Sequence, residues 1–333
     1  MTRFAFKKIN ECISVKLLSG QLVEWIKLET AVTSAYKKIC HGLQIFLHNL
    51  VQEERFAEAI PVLDVFSNIS SGALKKDNNV REVSRDVLQN LATEDNLGIL
   101  FKELNTNEKN KEPEARQILA GLGDIILNRL LDIVRDVRDS NERVRTIHLI
   151  FTMGQRVIPA ISERININAP WYYLRNLAYI LGHIGNEASA HILQPLLLHK
   201  NGKVRMEALK SISQTGGNQR GPLLLSVLPQ ADEQLRTNII EMLGKIKCAG
   251  AVKNLLDMLK NKSLLAKDEQ ISMQEKIYNA LESIGSPEAI PTLSKIAESK
   301  SFLGLRSYPV EVKYAAKRAL ASIKRKQEKN TGS

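Results

Sequence analysis

The chain of 333 residues holds six histidines and three cysteines, the side chains best suited to bind a metal or to act as base or nucleophile near neutral pH. His183, His191 and His199 fall within one short stretch. His191 and His199 are about two helical turns apart and could share a face, as a ligand site or a pH-sensitive contact. The plainer reading is polar surface plus one inter-helix hydrogen bond. Cys12, Cys40 and Cys248 form no CxxC pair, and no HExxH or paired Cys/His spacing occurs. That argues against a disulfide framework and fits a reducing, cytoplasmic compartment. No metal site, cofactor or catalytic residue is assigned.

Other constellations are equally spare. Gly216-Gly-Asn-Gln-Arg-Gly221 resembles a phosphate loop only superficially, because Pro222 stands where that loop needs its lysine and no strand precedes it. Glu163 and Asp257 could project from second helices as acids, but no tryptophan accompanies them, as base-excision chemistry would want. Trp171-Tyr172-Tyr173 is the one aromatic cluster. With Arg175 it could form a binding hot spot, since Trp, Tyr and Arg dominate interface energy. Packing in the seam between neighbouring repeats is the competing reading.

The elements that must position these residues follow from a period. Gly123, Gly154, Gly185 and Gly216 are spaced 31 apart, and Lys247 stands one period further on. Each ends a first helix, with glycine suited to the left-handed conformation that closes it. In the clearest unit Val204, Ala208, Leu209 and Ile212 make one apolar face, Gly216-Gly217 turns the chain, and Pro222 opens a second helix carrying Leu223, Leu224, Val227 and Leu228. Helix pairs are predicted near 141–153 and 156–165, 170–184 and 188–199, 232–246 and 249–261, and 270–284 and 287–299. Seven residues are inserted around Lys262–Gln270, and a further extension spans Lys300–Tyr308. A last helix is predicted near 309–326. Upstream, units near 78–105 and 113–136 follow an irregular opening pair, a long helix from about 21 to 50 and another from about 54 to 69.

This grammar predicts an all-α fold, an α–α solenoid of stacked antiparallel helix pairs. Residues 1–109 form irregular N-terminal repeats or a cap, 110–326 the regular repeats, and 327–333 a disordered basic tail. The irregular first 20 residues could equally be the end of a preceding domain. The net charge is +11 with 44% hydrophobic and 5% aromatic residues. Such a balance permits acidic partners or nucleic acid. The charge is spread, with its densest run at Lys317-Arg318 and Lys324-Arg325-Lys326. No signal peptide or apolar stretch of membrane-spanning length is seen.

Trp171-Tyr-Tyr-Leu-Arg-Asn-Leu-Ala-Tyr-Ile-Leu-Gly-His-Ile-Gly185, Val204-Arg-Met-Glu-Ala-Leu209 and Gly285-Ser-Pro-Glu-Ala-Ile-Pro-Thr-Leu293 resemble the short bacterial HEAT-like repeat, of the type found in phycobilin (PBS) lyases. The resemblance covers about 110–326. It implies a right-handed, HEAT/armadillo-like superhelix, with first helices convex and second helices lining a concave face. Members include bilin lyases, DNA glycosylases, an iron hydroxylase of a translation factor and scaffolds. The hydroxylase subgroup carries His-Glu dipeptides; here no histidine is followed by glutamate, which argues against that activity. The expectation is a non-enzymatic scaffold holding a protein partner on the concave face through Arg129, Glu163, His191, Gln194, Ser226, Lys253, Asp257 and Lys295. One alternative is a nucleic-acid binder, non-catalytic or glycosylase-like, with Arg129, Lys253 and Lys295 lining one groove. Another is a lyase or chaperone for a tetrapyrrole-bearing protein. No small-molecule substrate is expected.

Overall fold

The computed structural model describes residues 20–105, 111–260, 267–299 and 308–331, with side chains left undescribed at 267–271 and 329–331. Among these residues there is no strand. Residues 20–28 are helical. The helices that follow are α1 Ser34–Gln52, α2 Phe56–Ser71, α3 Asn78–Leu91, α4 Glu94–Asn105, α5 Glu112–Leu122, α6 Asp124–Asp136, α7 Ser140–Met153 and α8 Ile158–Arg164. Then come α9 Trp171–Ile184, α10 Glu187–Leu193, α11 Gly202–Thr215, α12 Arg220–Val227, α13 Glu233–Lys245, α14 Val252–Lys260, α15 Lys267–Ile284, α16 Ile290–Ala297 and α17 Val310–Thr331. The architecture is an α-solenoid of helix pairs. It divides into two compact units, Met1–Ile161 and Ser162–Ser333. The expected boundary at 109/110 marks a different property, the onset of the regular period, and residues 106–110 lie outside the described residues.

In Ser162–Ser333 the first helices stack in sequence: α9 on α11, α11 on α13, α13 on α15, and α15 on α17. Each buries one stripe of aliphatic side chains. In α9 that stripe includes Leu174, Leu177, Ala178 and Leu181, all fully buried. Close approach is possible because Gly182 has no side chain; a Cβ there would meet Ser211 Oγ at 2.4 Å and Ser211 Cα at 3.1 Å. Ser211 Oγ in turn donates to Ala178 O at 2.9 Å, across 33 residues of sequence. The period is thus a packing register. After the insertion the register lengthens, and Thr237 Oγ1 reaches Met273 Sδ across 36 residues. Of the insertion expected around Lys262–Gln270, residues 262–266 lie outside the described residues, and Lys267–Gln270 belong to α15 rather than to a loop; of the extension at Lys300–Tyr308, residues 300–307 lie outside the described residues.

Second helices are less regular than the sequence predicts. Several begin or end as 3-10 turns: Gly154–Val157, Gln194–Leu198, Gly217–Gln219, Leu228–Gln230, Ala249–Ala251 and Pro287–Ala289. Prolines near most of these segments, though not near Ala249–Ala251, remove N–H donors and favour the tighter turn.

Three sequence expectations change. The long helix of 21–50 is two helices, because Thr33 caps α1 by accepting from the Tyr36 N–H at 3.1 Å. Lys76 Nζ closes the preceding helix by donating to Lys27 O at 2.8 Å. The last helix continues to Thr331, so most of the expected disordered tail at 327–333 is helical; no glycine or proline interrupts it before Gly332. Finally, Gly185 and Gly216 are not left-handed (φ −69° and −71°), and in the second of these turns the positive φ falls on Gly217. Gly216 is needed for space, since its Cβ would meet Ile212 O at 2.7 Å.

Lys247 occupies the glycine position of its repeat and adopts φ 51°. The Lys247 N–H donates to Gly244 O and the Cys248 N–H to Leu243 O, both at 3.0 Å, the bonding of a Schellman C-cap. A side chain in that conformation is strained by about 1 kcal/mol. Lys247→Gly is therefore expected to stabilise the protein by about 1 kcal/mol in denaturant melts. Gly182→Ala is expected to destabilise it by about 1–3 kcal/mol, because the Ser211 backbone cannot yield freely.

Candidate protein-interaction surface

Two surfaces carry the residues singled out from sequence. On the second helices of Ser162–Ser333, Glu163, His191, Ser226, Lys253, Asp257 and Lys295 are exposed and Gln194 is half-buried. The structure brings two of them together: Gln194 Nε2 donates to Ser226 Oγ at 3.0 Å, linking neighbouring repeats across 32 residues. Asp257 accepts from Lys260 Nζ at 2.9 Å. That hydrogen bond and charge, with Lys253 adding a smaller pull, hold its carboxyl below the usual aspartate range.

Arg129 does not join this row as a free cation. It lies on α6, in the Met1–Ile161 unit, where its guanidinium pairs with the Glu94 carboxylate and stands 5.5 Å from the Phe101 ring centre. The expected groove of Arg129, Lys253 and Lys295 loses its first member to a contact within that unit. His191 and His199 do not share a face either. His191 is exposed, whereas His199 is buried with extended backbone beyond the 3-10 turn Gln194–Leu198. His199 Nδ1 accepts from the Asn201 N–H at 3.0 Å. The 3-10 turn changes the rotation per residue, which breaks the helical register that the eight-residue spacing assumed.

The aromatic cluster is the more distinctive surface. Pro170 sets the entry to α9, so Trp171 and Tyr172 stand on its first turn. Their rings meet edge to face with centres 6.0 Å apart. Tyr173 instead points inward and is buried. Trp171 is 38% exposed, Tyr172 37% and, two turns along, Tyr179 37%. The next repeat supplies the rest. Lys203 Nζ lies 5.2 Å from the Trp171 ring centre, and Lys210 Nζ 5.9 Å from that of Tyr179. Met206, 45% exposed, stands between these lysines on α11 and accepts from Asn238 Nδ2 at 2.9 Å. Arg175 is exposed and donates to Asn176 Oδ1 at 3.0 Å.

Tyr179, Lys203, Met206 and Lys210 were not singled out from sequence. The signal existed: one repeat separates Trp171 from Lys203 and Tyr179 from Lys210, and stacked first helices place such residues side by side.

A family model of HEAT repeats matches residues 221–307. The match supports the HEAT-repeat family. No curated protein matches the chain. Among solved structures, human deoxyhypusine hydroxylase in complex with glycerol is 14% identical, with 79% of this chain and 96% of that one covered and a TM-score of 0.34. The YibA protein of Escherichia coli is 17% identical over 89% and 99%, with a TM-score of 0.37. An engineered protein is 16% identical over 91% and 98%, with a TM-score of 0.29. Likenesses of this size carry no argument about activity.

Thiol chemistry is unequal along the chain. Cys40 is buried in α1 and its thiol is pushed up to about 11, chiefly by burial. At pH 8 that leaves only about a thousandth of it as the reactive thiolate. Cys248 is half-buried, and Cys12 lies outside the described residues. Iodoacetamide at about pH 8 is expected to alkylate Cys248 well before Cys40 in the folded protein, read by peptide mass spectrometry. Equal rates would contradict the burial argument.

Proposed function

We propose that the protein is a non-enzymatic HEAT-repeat scaffold that holds a protein partner. The observation that carries this reading is the patch of Trp171, Tyr172, Tyr179 and Met206 on the first helices α9 and α11. Large aromatics left partly in water are costly to keep unless a partner covers them, and Trp, Tyr and Met are enriched at interface centres. Arg175, Lys203 and Lys210 ring the patch with positive charge. The surface suits a partner that presents apolar side chains framed by carboxylates, which would meet both the aromatic faces and the surrounding cations. The lysines already stacked on Trp171 and Tyr179 hold the rings in place before binding, which lowers the ordering entropy of association.

A second reading places the partner on the second-helix row, and the Gln194–Ser226 bond supports it by joining polar side chains of two neighbouring repeats there. The row mixes Glu163 and Asp257 with Lys253 and Lys295, which suits a protein better than a polyphosphate.

A pull-down from source lysate, with and without nuclease, tests both. We expect a defined protein to survive nuclease and about 200 mM salt. Trp171→Ala should weaken its capture about tenfold or more with the melting temperature preserved. Loss with the Lys253→Ala, Asp257→Ala double variant, and not with Trp171→Ala, would move the partner to the second-helix row. Loss of all bound material on nuclease treatment would exclude the scaffold reading.

A further inference from the structure

A polar cavity of about 260 Å³ opens in the Met1–Ile161 unit. It exists because α5 packs on α2. Gly121 permits that approach; a Cβ there would meet Leu63 Cδ2 at 2.7 Å. The packing brings Ser67 and Ser70, on the last turns of α2, beside the α5–α6 turn. Arg81 and Arg85 enter from α3, one helical turn apart on the same face, and Arg156 enters from the 3-10 turn Gly154–Val157.

Two of these arginines also have structural bonds. Arg81 Nη2 donates to Ser70 O at 3.3 Å and Arg156 Nη2 to Ala120 O at 3.2 Å, closing the carbonyl ends of α2 and α5. Each bond uses one nitrogen of its guanidinium. Arg81 Nε is buried without a hydrogen-bond partner. The exposed Arg85 guanidinium and the hydroxyls of Ser67 and Ser70 have no partner among the described residues. Asp124, at the start of α6, lies 3.9 Å from Arg156 Nε. Three guanidinium groups against this single carboxylate leave two positive charges in excess around the cavity.

We propose that this cavity binds the phosphate monoester of a phosphorylated protein segment. A phosphorylated side chain carries about −1.5 to −2 at neutral pH, which matches the excess charge. Its oxygens supply the acceptors that the exposed Arg85 guanidinium lacks, and arginine clusters are a recurrent way to read phosphorylated motifs. The serine hydroxyls add donors. A nucleic-acid backbone is the poorer match: it bears one charge per phosphate and needs a stripe of cations, whereas here the cations converge on one cavity with a carboxylate at its edge. The cavity lies in a different unit from the aromatic patch and does not rest on the scaffold reading.

Isothermal titration of the full chain with phenyl phosphate and with dimethyl phosphate tests it. The monoester is expected to bind at about pH 7.5 and to weaken near pH 5, where it becomes a monoanion. Arg85→Ala, at an exposed position without structural bonds, is expected to weaken it about tenfold or more and to leave the melting temperature unchanged. Equal binding of monoester and diester would overturn the proposal, as would unchanged affinity in Arg85→Ala or no heat with phenyl phosphate. An oligonucleotide that binds more tightly than the monoester and is lost in Arg85→Ala would assign the cavity to nucleic acid instead.

Discussion

No helix pair in this chain can bury its apolar stripe alone; it must lie against the pair one repeat away. That constraint orders everything else. It requires small residues where helices approach, as at Gly182 against Ser211 and Gly244 against Ala280, where a Cβ would meet the Ala280 Cα at 2.8 Å. It also makes sequence distance a measure of spatial neighbourhood. Residues about one period apart touch, as Ser211 and Ala178 do in the core and Gln194 and Ser226 do on the surface. A solenoid of this kind is stabilised by a sum of local interfaces rather than by one core.

The surfaces inherit the same register. Lys203 lies over Trp171 and Lys210 over Tyr179 because α11 stacks on α9 in a fixed phase. The result is a patch in which cations and aromatic faces are held together. Where the register is irregular, the surface changes character. In Met1–Ile161, α5 lies on α2 as well as on α4, and the space left beside α3 is lined by arginines and serines as well as by Leu88, Leu122 and Ile125.

Ion pairs contribute little to this frame. Many are exposed, such as Asp257 with Lys260 and Arg318 with Glu282, and pairs in that setting are worth about 0–1 kcal/mol. Those that join repeats, such as Lys276 with Glu241, act on register more than on stability. Caps matter more at each helix start. Asp77, Asp139 and Asp232 each accept from backbone N–H groups at the N-terminus they precede.

The 31-residue spacing of Gly123, Gly154, Gly185 and Gly216, with apolar stripes between them, was sufficient to read helix pairs and their stacking, because both depend on local periodicity and on turn chemistry. It also predicted that Lys247 would stand in a glycine's place, and that residue does adopt a positive φ. Tertiary structure alone decided the rest. Whether His199 faced solvent depended on a 3-10 turn that changes the rotation per residue. Whether Arg129 was free depended on Glu94 and Phe101 beside it. The convergence of Arg81, Arg85 and Arg156 required α5 to settle on α2, a contact between segments whose separation no period encodes. Periodicity determines which face of each helix is buried. Which exposed side chains meet is set by the packing of helices against one another, and a pattern along one chain does not contain that geometry.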